Sequence, residues 1–171
     1  MCLALGACSR APDSYPPPVQ FVMPSGPEPA AALPGPNRPL LAMADADWKS
    51  HVLEGVLDGP DGESFRWCRP VARFRVTPND VHVLQFYMRF IVVDDALRQT
   101  GAVTIAISIN GHTLDRPRIT TGGEQEYVHD VPQGWLVARE PVTIALDAQP
   151  GLVVSPTERL GVLLNSIGFR K

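Results

Sequence analysis

Cysteine is scarce: Cys2, Cys8 and Cys68 are the whole supply in 171 residues. Two of them fall in the first eight positions, so the rest of the chain has no internal disulfide framework to rely on. Basic clusters are missing as well. Lysine is nearly absent, arginine is scattered singly, and the net charge is −3 with a pI near 5.8. A nucleic-acid binder needs a basic face to neutralise phosphates, so nucleic acid is excluded as a partner. No apolar run reaches the roughly 18 residues of a membrane-spanning helix. The most apolar stretch, VLQFYMRFIVV from Val83 to Val93, is too short and contains Arg89. A helical period of 3.6 is also lacking. Only single turns are expected, one within Val92 to Gln99 around Asp94-Asp95 and one at Pro156 to Arg159.

The residue sets of familiar chemistries are missing too. There is no Gly-x-Ser-x-Gly elbow to present a serine nucleophile. Cys68 sits in the aromatic stretch FRWC, where a free cysteine reads as a small buried hydrophobe. His51, His82, His112 and His129 lie far apart, without metal-ligand spacing. Thr121-Gly122-Gly123-Glu124 is glycine-rich, but no helical pattern follows to make it a phosphate cradle, so it reads as a turn. Asp94 and Asp95 are adjacent and point apart, whereas Glu124 and Glu126 are two apart and share one face of a strand. No catalytic residue, metal ligand or cofactor is expected from these patterns.

Proline is abundant, and it is concentrated: 18 in all, ten of them before Leu41. From Arg10 to Asn37 proline alternates with serine, glycine and alanine, and no period of 2 or 3.6 is sustained. Such a segment buries too little apolar surface to order itself, which predicts a disordered linker over residues 9–43. Ahead of it, Leu5-Gly6-Ala7-Cys8 resembles the lipobox of bacterial lipoproteins. In that family the cysteine becomes the acylated N-terminus. The resemblance implies a truncated lipoprotein signal over residues 1–8 with a start further upstream, lipidation at Cys8, and anchoring to a bacterial envelope membrane. The alternative is an unanchored disordered leader on a cytoplasmic protein. Cys2 would leave with the signal, and Cys68 would remain alone.

From about Ala44 the pattern becomes one of short strands, predicting a β domain over 44–171. Trp48 to Leu57 and Ser64 to Cys68 read as strands. In Ala72 to Val76, Phe74 and Val76 take one face and Arg73 and Arg75 the other. In Val81 to Val93, Leu84, Phe86, Met88 and Phe90 alternate with Val83, Gln85, Tyr87 and Arg89. Val103, Ile105, Ile107 and Ile109 share the inward face of the next strand. Asn110-Gly111 then gives the strongest short hairpin signal, with His112 to Leu114 returning. Further strands are expected at Glu126–Val131, Pro141–Asp147 and Leu160–Arg170. In EGVLDGPDGESFRWC, Pro60 pre-sets φ, Asp61 bonds its own backbone and Gly62 accepts positive φ, which predicts a tight turn. Asp58, Asp61 and Glu63 do not have the spacing of a calcium loop. Trp67, sharing a face with Phe65, is expected in the core. The fold class is therefore all-β, an antiparallel sandwich behind a proline-rich tail.

The body resembles the jelly-roll-type β-sandwich domains of bacterial envelope proteins and of some bacterial glycosyltransferases. The residues that carry this are Glu54-Gly55, Phe65-Arg66-Trp67, Ala72 to Val76, Ile107 to Gly111, Glu158 to Val162 and Ser166 to Phe169. The resemblance implies architecture and a link to glycans, and it transfers no catalytic residue. A sugar platform needs aromatic faces with carboxylates or amides to grip hydroxyls. Trp135, behind the Pro132-Gln133-Gly134 turn, reads as a loop anchor or a ligand platform, and Tyr127, Glu124 and Glu126 are the candidate ligand residues beside it. The leading expectation is a non-catalytic envelope lipoprotein that binds a glycan. The first alternative is an assembly module that meets an envelope protein through a sheet edge or a face bearing Arg73, Arg75 and Arg89. A hydrolase is the disfavoured third.

Overall fold

Alternation along the chain becomes strands wherever one face finds apolar partners. The computed structural model describes residues 38–59 and 63–171. Cys8 with the signal-like segment, the linker as far as residue 37, and the Pro60-Asp61-Gly62 turn lie outside the described residues.

The strands are β1 (Leu40–Ala42), β2 (Val52–Val56), β3 (Arg66–Val76), β4 (Gln85–Val92), β5 (Val103–Ile109) and β6 (His112–Asp115). They continue with β7 (Arg118–Ile119), β8 (Gly123–Asp130), β9 (Val142–Gln149), β10 (Leu152–Ser155), β11 (Glu158–Leu160) and β12 (Leu163–Arg170). Two short helices, α1 (Trp48–His51) and α2 (Asp94–Thr100), complete the described elements. The hydrogen-bonded path runs β6-β5-β9-β3-β12-β4-β8, with β1 on β12, β2 on β3 and β7 on β5. Every pairing is antiparallel. The path curls into two layers. The front layer is β1, β12, β4 and β8, and the back layer is β2, β9, β5, β6 and β7. The long strand β3 bridges them, pairing β12 at Arg66 and Trp67 and β9 from Val71 to Val76. This is an antiparallel β-sandwich of the jelly-roll kind.

The core lies between the layers. Phe86, Met88 and Phe90 from β4 and Leu164, Ile167 and Phe169 from β12 are fully buried. They meet Phe74 and Val76 of β3, Ile144 of β9, and Ile105, Ile107 and Ile109 of β5. The inward faces expected for Ala72 to Val76 of β3 and for β4 and β5 are observed. The Asn110-Gly111 hairpin is there as well, with φ of 49° and 83° at the two residues. A Cβ placed on Gly111 meets nothing within 4 Å, so a larger residue would be disfavoured there by backbone conformation alone. Gly111→Val should cost about 1–3 kcal/mol, seen as a lowered midpoint in urea unfolding.

Several boundaries differ from the sequence expectation. The sandwich begins ahead of residue 44: β1 pairs Leu41 with Ile167, and Leu41 and Met43 are fully buried. Trp48 to His51 is a helical turn rather than strand, held because His51 is buried and its Nδ1 donates to the Arg75 carbonyl at 3.0 Å. The stretches Ser64–Cys68 and Ala72–Val76 fuse into the one strand β3. Pro70 is accommodated there by register shifts against β2. Gly55, at φ 81°, sits at that irregularity, where an added Cβ would fall 2.0 Å from the Val71 carbonyl oxygen. Pro156 and Thr157 form the turn of the β10–β11 hairpin, not a helical turn. Leu160–Arg170 is broken at Gly161-Val162, where Gly161 N–H and Val162 C=O bond to the backbone of Cys68 instead. The helical turn at Asp94-Asp95 is present as α2. Among the described residues no helix is long and apolar enough to cross a membrane.

Candidate functional site

The four residues singled out from sequence do not converge. On β8 the odd positions Gln125, Tyr127 and His129 are half-buried, while Glu124, Glu126, Val128 and Asp130 are exposed. Glu124 and Glu126 do share a face, as their spacing requires, but Tyr127 projects the other way. Its hydroxyl donates to the Asp115 carboxylate of β6, linking the free edges of the two layers. Asp115 reaches that position through a bulge that pairs it with inward-facing Ile107. The hydrogen bond from Tyr127 is the main cause holding Asp115 below the usual carboxylate range, and burial, with that carboxylate beside it, raises the Tyr127 hydroxyl.

This bond carries a pH signature. A depressed carboxylate contributes its stability above its unfolded value, near 4, and loses it as pH falls through the folded value. Tyr127→Phe should cost about 1 kcal/mol at neutral pH, the low end for a charged acceptor because the pair is only half-buried. In urea titrations the gap between wild type and Tyr127→Phe should close below about pH 4.

Trp135 follows the Pro132-Gln133-Gly134 turn. It is half-buried, packs against the core, and lies with its ring centroid 5.2 Å from that of His112. Glu124 and Glu126 belong to a groove of about 420 Å³ on the outer face of the front layer, lined also by Tyr87, Arg89 and Gln125. Arg89 is ion-paired with Glu124, and Arg170 lies 3.6 Å from Glu126 and 4.2 Å above the Tyr87 ring. Burial and the neighbouring Glu126 raise the Tyr87 hydroxyl. Arg73 and Arg75 are on the outer face of β3 alongside β9, away from this groove. Arg73 is paired with Glu54 at 2.9 Å. The single face expected to carry Arg73, Arg75 and Arg89 therefore does not exist.

The largest departure is at Trp67. Arg66 and Cys68 are buried at 2% and 1% exposure, and Trp67 between them turns outward. The expectation of a core Trp67 is corrected. The place next to the core is taken by Arg66, whose guanidinium lies 4.3 Å from the ring centroid of buried Trp48 and whose Nε donates to the Met43 carbonyl. Cys68 fills the next inward position, where burial pushes its thiol up to about 12 and keeps it protonated. Outside, Trp67 lines a cleft of about 490 Å³ together with half-buried Leu57, Phe65 and Leu163. Asp58 and Glu63 supply carboxylates to the same cleft. Asp58 is paired with Lys49 at 2.8 Å, and that hydrogen bond, with the lysine's charge, lowers its pKa. Two half-covered aromatic rings, aliphatic walls and carboxylates form an apolar concavity with a few polar groups, the composition of a small-ligand site.

This site had a sequence signal. Val76, Phe74 and Ala72 are the inward residues of β3, and continuing the same parity backwards puts Cys68 and Arg66 inward and Trp67 outward. Among the described residues, no three His, Cys, Asp or Glu side chains are grouped to hold a metal ion.

No family model matches the chain, and neither does any curated protein. Among solved structures it is similar to a family 35 carbohydrate binding module from an environmental isolate, with 14% identity and a TM-score of 0.51 over 77% of this chain and 92% of that one. A second structure is a family 35 module described in complex with a glucuronic acid containing disaccharide, at 17% identity and TM-score 0.47 over the same shares of the two chains. A third is the CBM36-1 domain of a multidomain xylanase from the hindgut metagenome of Trinervitermes trinervoides, at 14% identity and TM-score 0.39 over 68% of this chain and 84% of that one. At such identities the likeness speaks to the fold, and the first of them shares the β-sandwich.

Proposed function

We propose that this protein is a non-catalytic glycan-binding module whose ligand docks in the cleft at Trp67. The observation that carries the reading is the outward placement of Trp67, beside Phe65 and Leu163, in a cleft that also holds Asp58 and Glu63. An aromatic ring presents a flat apolar surface to the C–H face of a sugar, while nearby carboxylates accept hydrogen bonds from its hydroxyls. The sandwich fold shared with a carbohydrate binding module supports the same reading. A glycan array probed with the full-length protein tests it. Binding to at least one sugar class, competed by that sugar in solution, is expected. Binding to no arrayed glycan would overturn the reading.

The cellular setting we propose is a bacterial envelope, with the sandwich held to a membrane by an acylated Cys8. The support is Leu5-Gly6-Ala7-Cys8 and the proline-rich stretch that separates it from β1. Expressed from its native gene in bacterial cells, the protein should take up labelled fatty acid, and Cys8→Ser should abolish uptake. Uptake that persists in Cys8→Ser would defeat the anchor.

A further inference from the structure

Strand register extends the Trp67 cleft into something longer. Trp67 pairs with Leu163, Leu163 pairs with Ile91, and Ile91 pairs with Glu124. All four lie on the outer face of the front layer, because their neighbours Arg66, Leu164, Phe90 and Val92 are the buried ones. They therefore form one row running straight across β3, β12, β4 and β8. Three of the four are apolar and half-exposed, in a position where solvent-facing strand residues are ordinarily polar. The row spans three strand spacings of about 4.8 Å, or roughly 14 Å. It starts at the Trp67 cleft and ends in the groove formed by Tyr87, Arg89, Glu124 and Glu126. Two concavities that are separate along the chain are thus the two ends of one track.

We infer that a neutral, linear glycan chain lies across this face, with one sugar in the Trp67 cleft, the middle of the chain over Leu163 and Ile91, and its far end in the Arg89–Glu124–Glu126 groove. The inference rests on the glycan reading of the Trp67 cleft and adds the shape and charge of the ligand. The apolar part of the row, Trp67, Leu163 and Ile91, spans two strand spacings, or roughly 10 Å, which offers more ring-stacking length than one sugar uses. At the far end the Arg89–Glu124 and Arg170–Glu126 pairs leave spare N–H groups and carboxylate lone pairs, which match hydroxyls. The charges at the two ends balance, Asp58 being paired with Lys49, Glu124 with Arg89 and Glu126 with Arg170, and Arg66 lining the same cleft as Glu63, so the track offers no net positive charge to hold an anionic chain.

Titration calorimetry on the full-length protein tests this with cello-, xylo- and manno-oligosaccharides, each from the monosaccharide to the hexasaccharide. An oligogalacturonide series serves as the anionic arm. For at least one neutral series the hexasaccharide should bind about ten-fold or more tighter than the disaccharide. Ile91→Asp, which puts a charge in the middle of the row, should remove that advantage and leave disaccharide binding in place. Arg89→Ala/Glu124→Ala should do the same from the far end, which keeps the test intact should Ile91→Asp unfold the protein. Equal affinity for short and long chains, a length advantage untouched by both variants, or preference for the oligogalacturonides would overturn the track while leaving glycan binding at Trp67 standing. Failure to bind any saccharide overturns the glycan reading itself, and the track with it.

Discussion

Trp48→Ala should lower the unfolding free energy by about 3–5 kcal/mol, the range for truncating a buried aromatic. Trp48 is 4% exposed and begins α1, ahead of the first long strand pairing of the sandwich. Its ring does two things at once. It fills core volume, and it covers the guanidinium of Arg66, itself 2% exposed. A desolvated cation over an indole face is worth about 2 kcal/mol, more than such a pair at the surface. Removing the ring leaves a void beside a buried positive charge, so the two losses reinforce each other. Urea unfolding is the measurement, with the loss expected as a lower midpoint at unchanged slope. The Arg66→Met variant separates the contributions. If the stacked cation matters, the double-mutant cycle of Trp48→Ala with Arg66→Met should show a coupling of about 1–2 kcal/mol. A cost below about 1.5 kcal/mol for Trp48→Ala would show that α1 does not seal this end of the core.

The pairing of Trp48 with Arg66 also explains what sequence reading caught and what it missed. Strands whose pattern is settled by their own residues were legible. The Val103–Ile109 alternation, the Asn110-Gly111 reversal and the Leu84–Phe90 face need only period two and turn chemistry. The same period put Glu124 and Glu126 on one face, and it would have separated them from Tyr127 if applied one residue further. In Phe65-Arg66-Trp67-Cys68 the local signal pointed the wrong way. Side-chain hydrophobicity favours burying the two aromatic residues, yet the strand buries an arginine and a cysteine. What reverses the choice is a residue 18 positions earlier: Trp48 provides a buried face for the guanidinium, and the Met43 carbonyl takes up Nε. The parity of β3 carried back from Phe74 gives the observed face, but no local pattern contains that partner. The proposed binding face was hidden for a related reason. Trp67, Leu163, Ile91 and Glu124 are spread over most of the chain and become neighbours only once β3, β12, β4 and β8 are set in order.

Trp67→Ala should have the opposite profile, a large loss of binding and a small loss of stability. Trp67 is half-exposed and outward, with the core closed beneath it by Arg66, Cys68 and Leu164, so truncation opens no interior cavity. The expected stability cost is about 1 kcal/mol or less, in the range of surface substitutions. Binding is another matter. Central aromatic residues of recognition sites typically contribute about 2–4 kcal/mol, which corresponds to roughly a 30- to 1000-fold weaker affinity. For whichever arrayed glycan the wild type binds, calorimetry with Trp67→Ala should therefore show binding reduced by that factor or lost, with the urea midpoint nearly unchanged. Trp67→Phe should recover part of the affinity, because a smaller ring still offers an apolar face. Trp135→Ala is the matching control: its ring is engaged with His112 and the core, so its loss should lower stability and leave glycan affinity largely intact. Wild-type affinity in Trp67→Ala would remove the cleft from consideration. Lost binding in Trp135→Ala with an unchanged urea midpoint would move the site to the loop that carries Trp135.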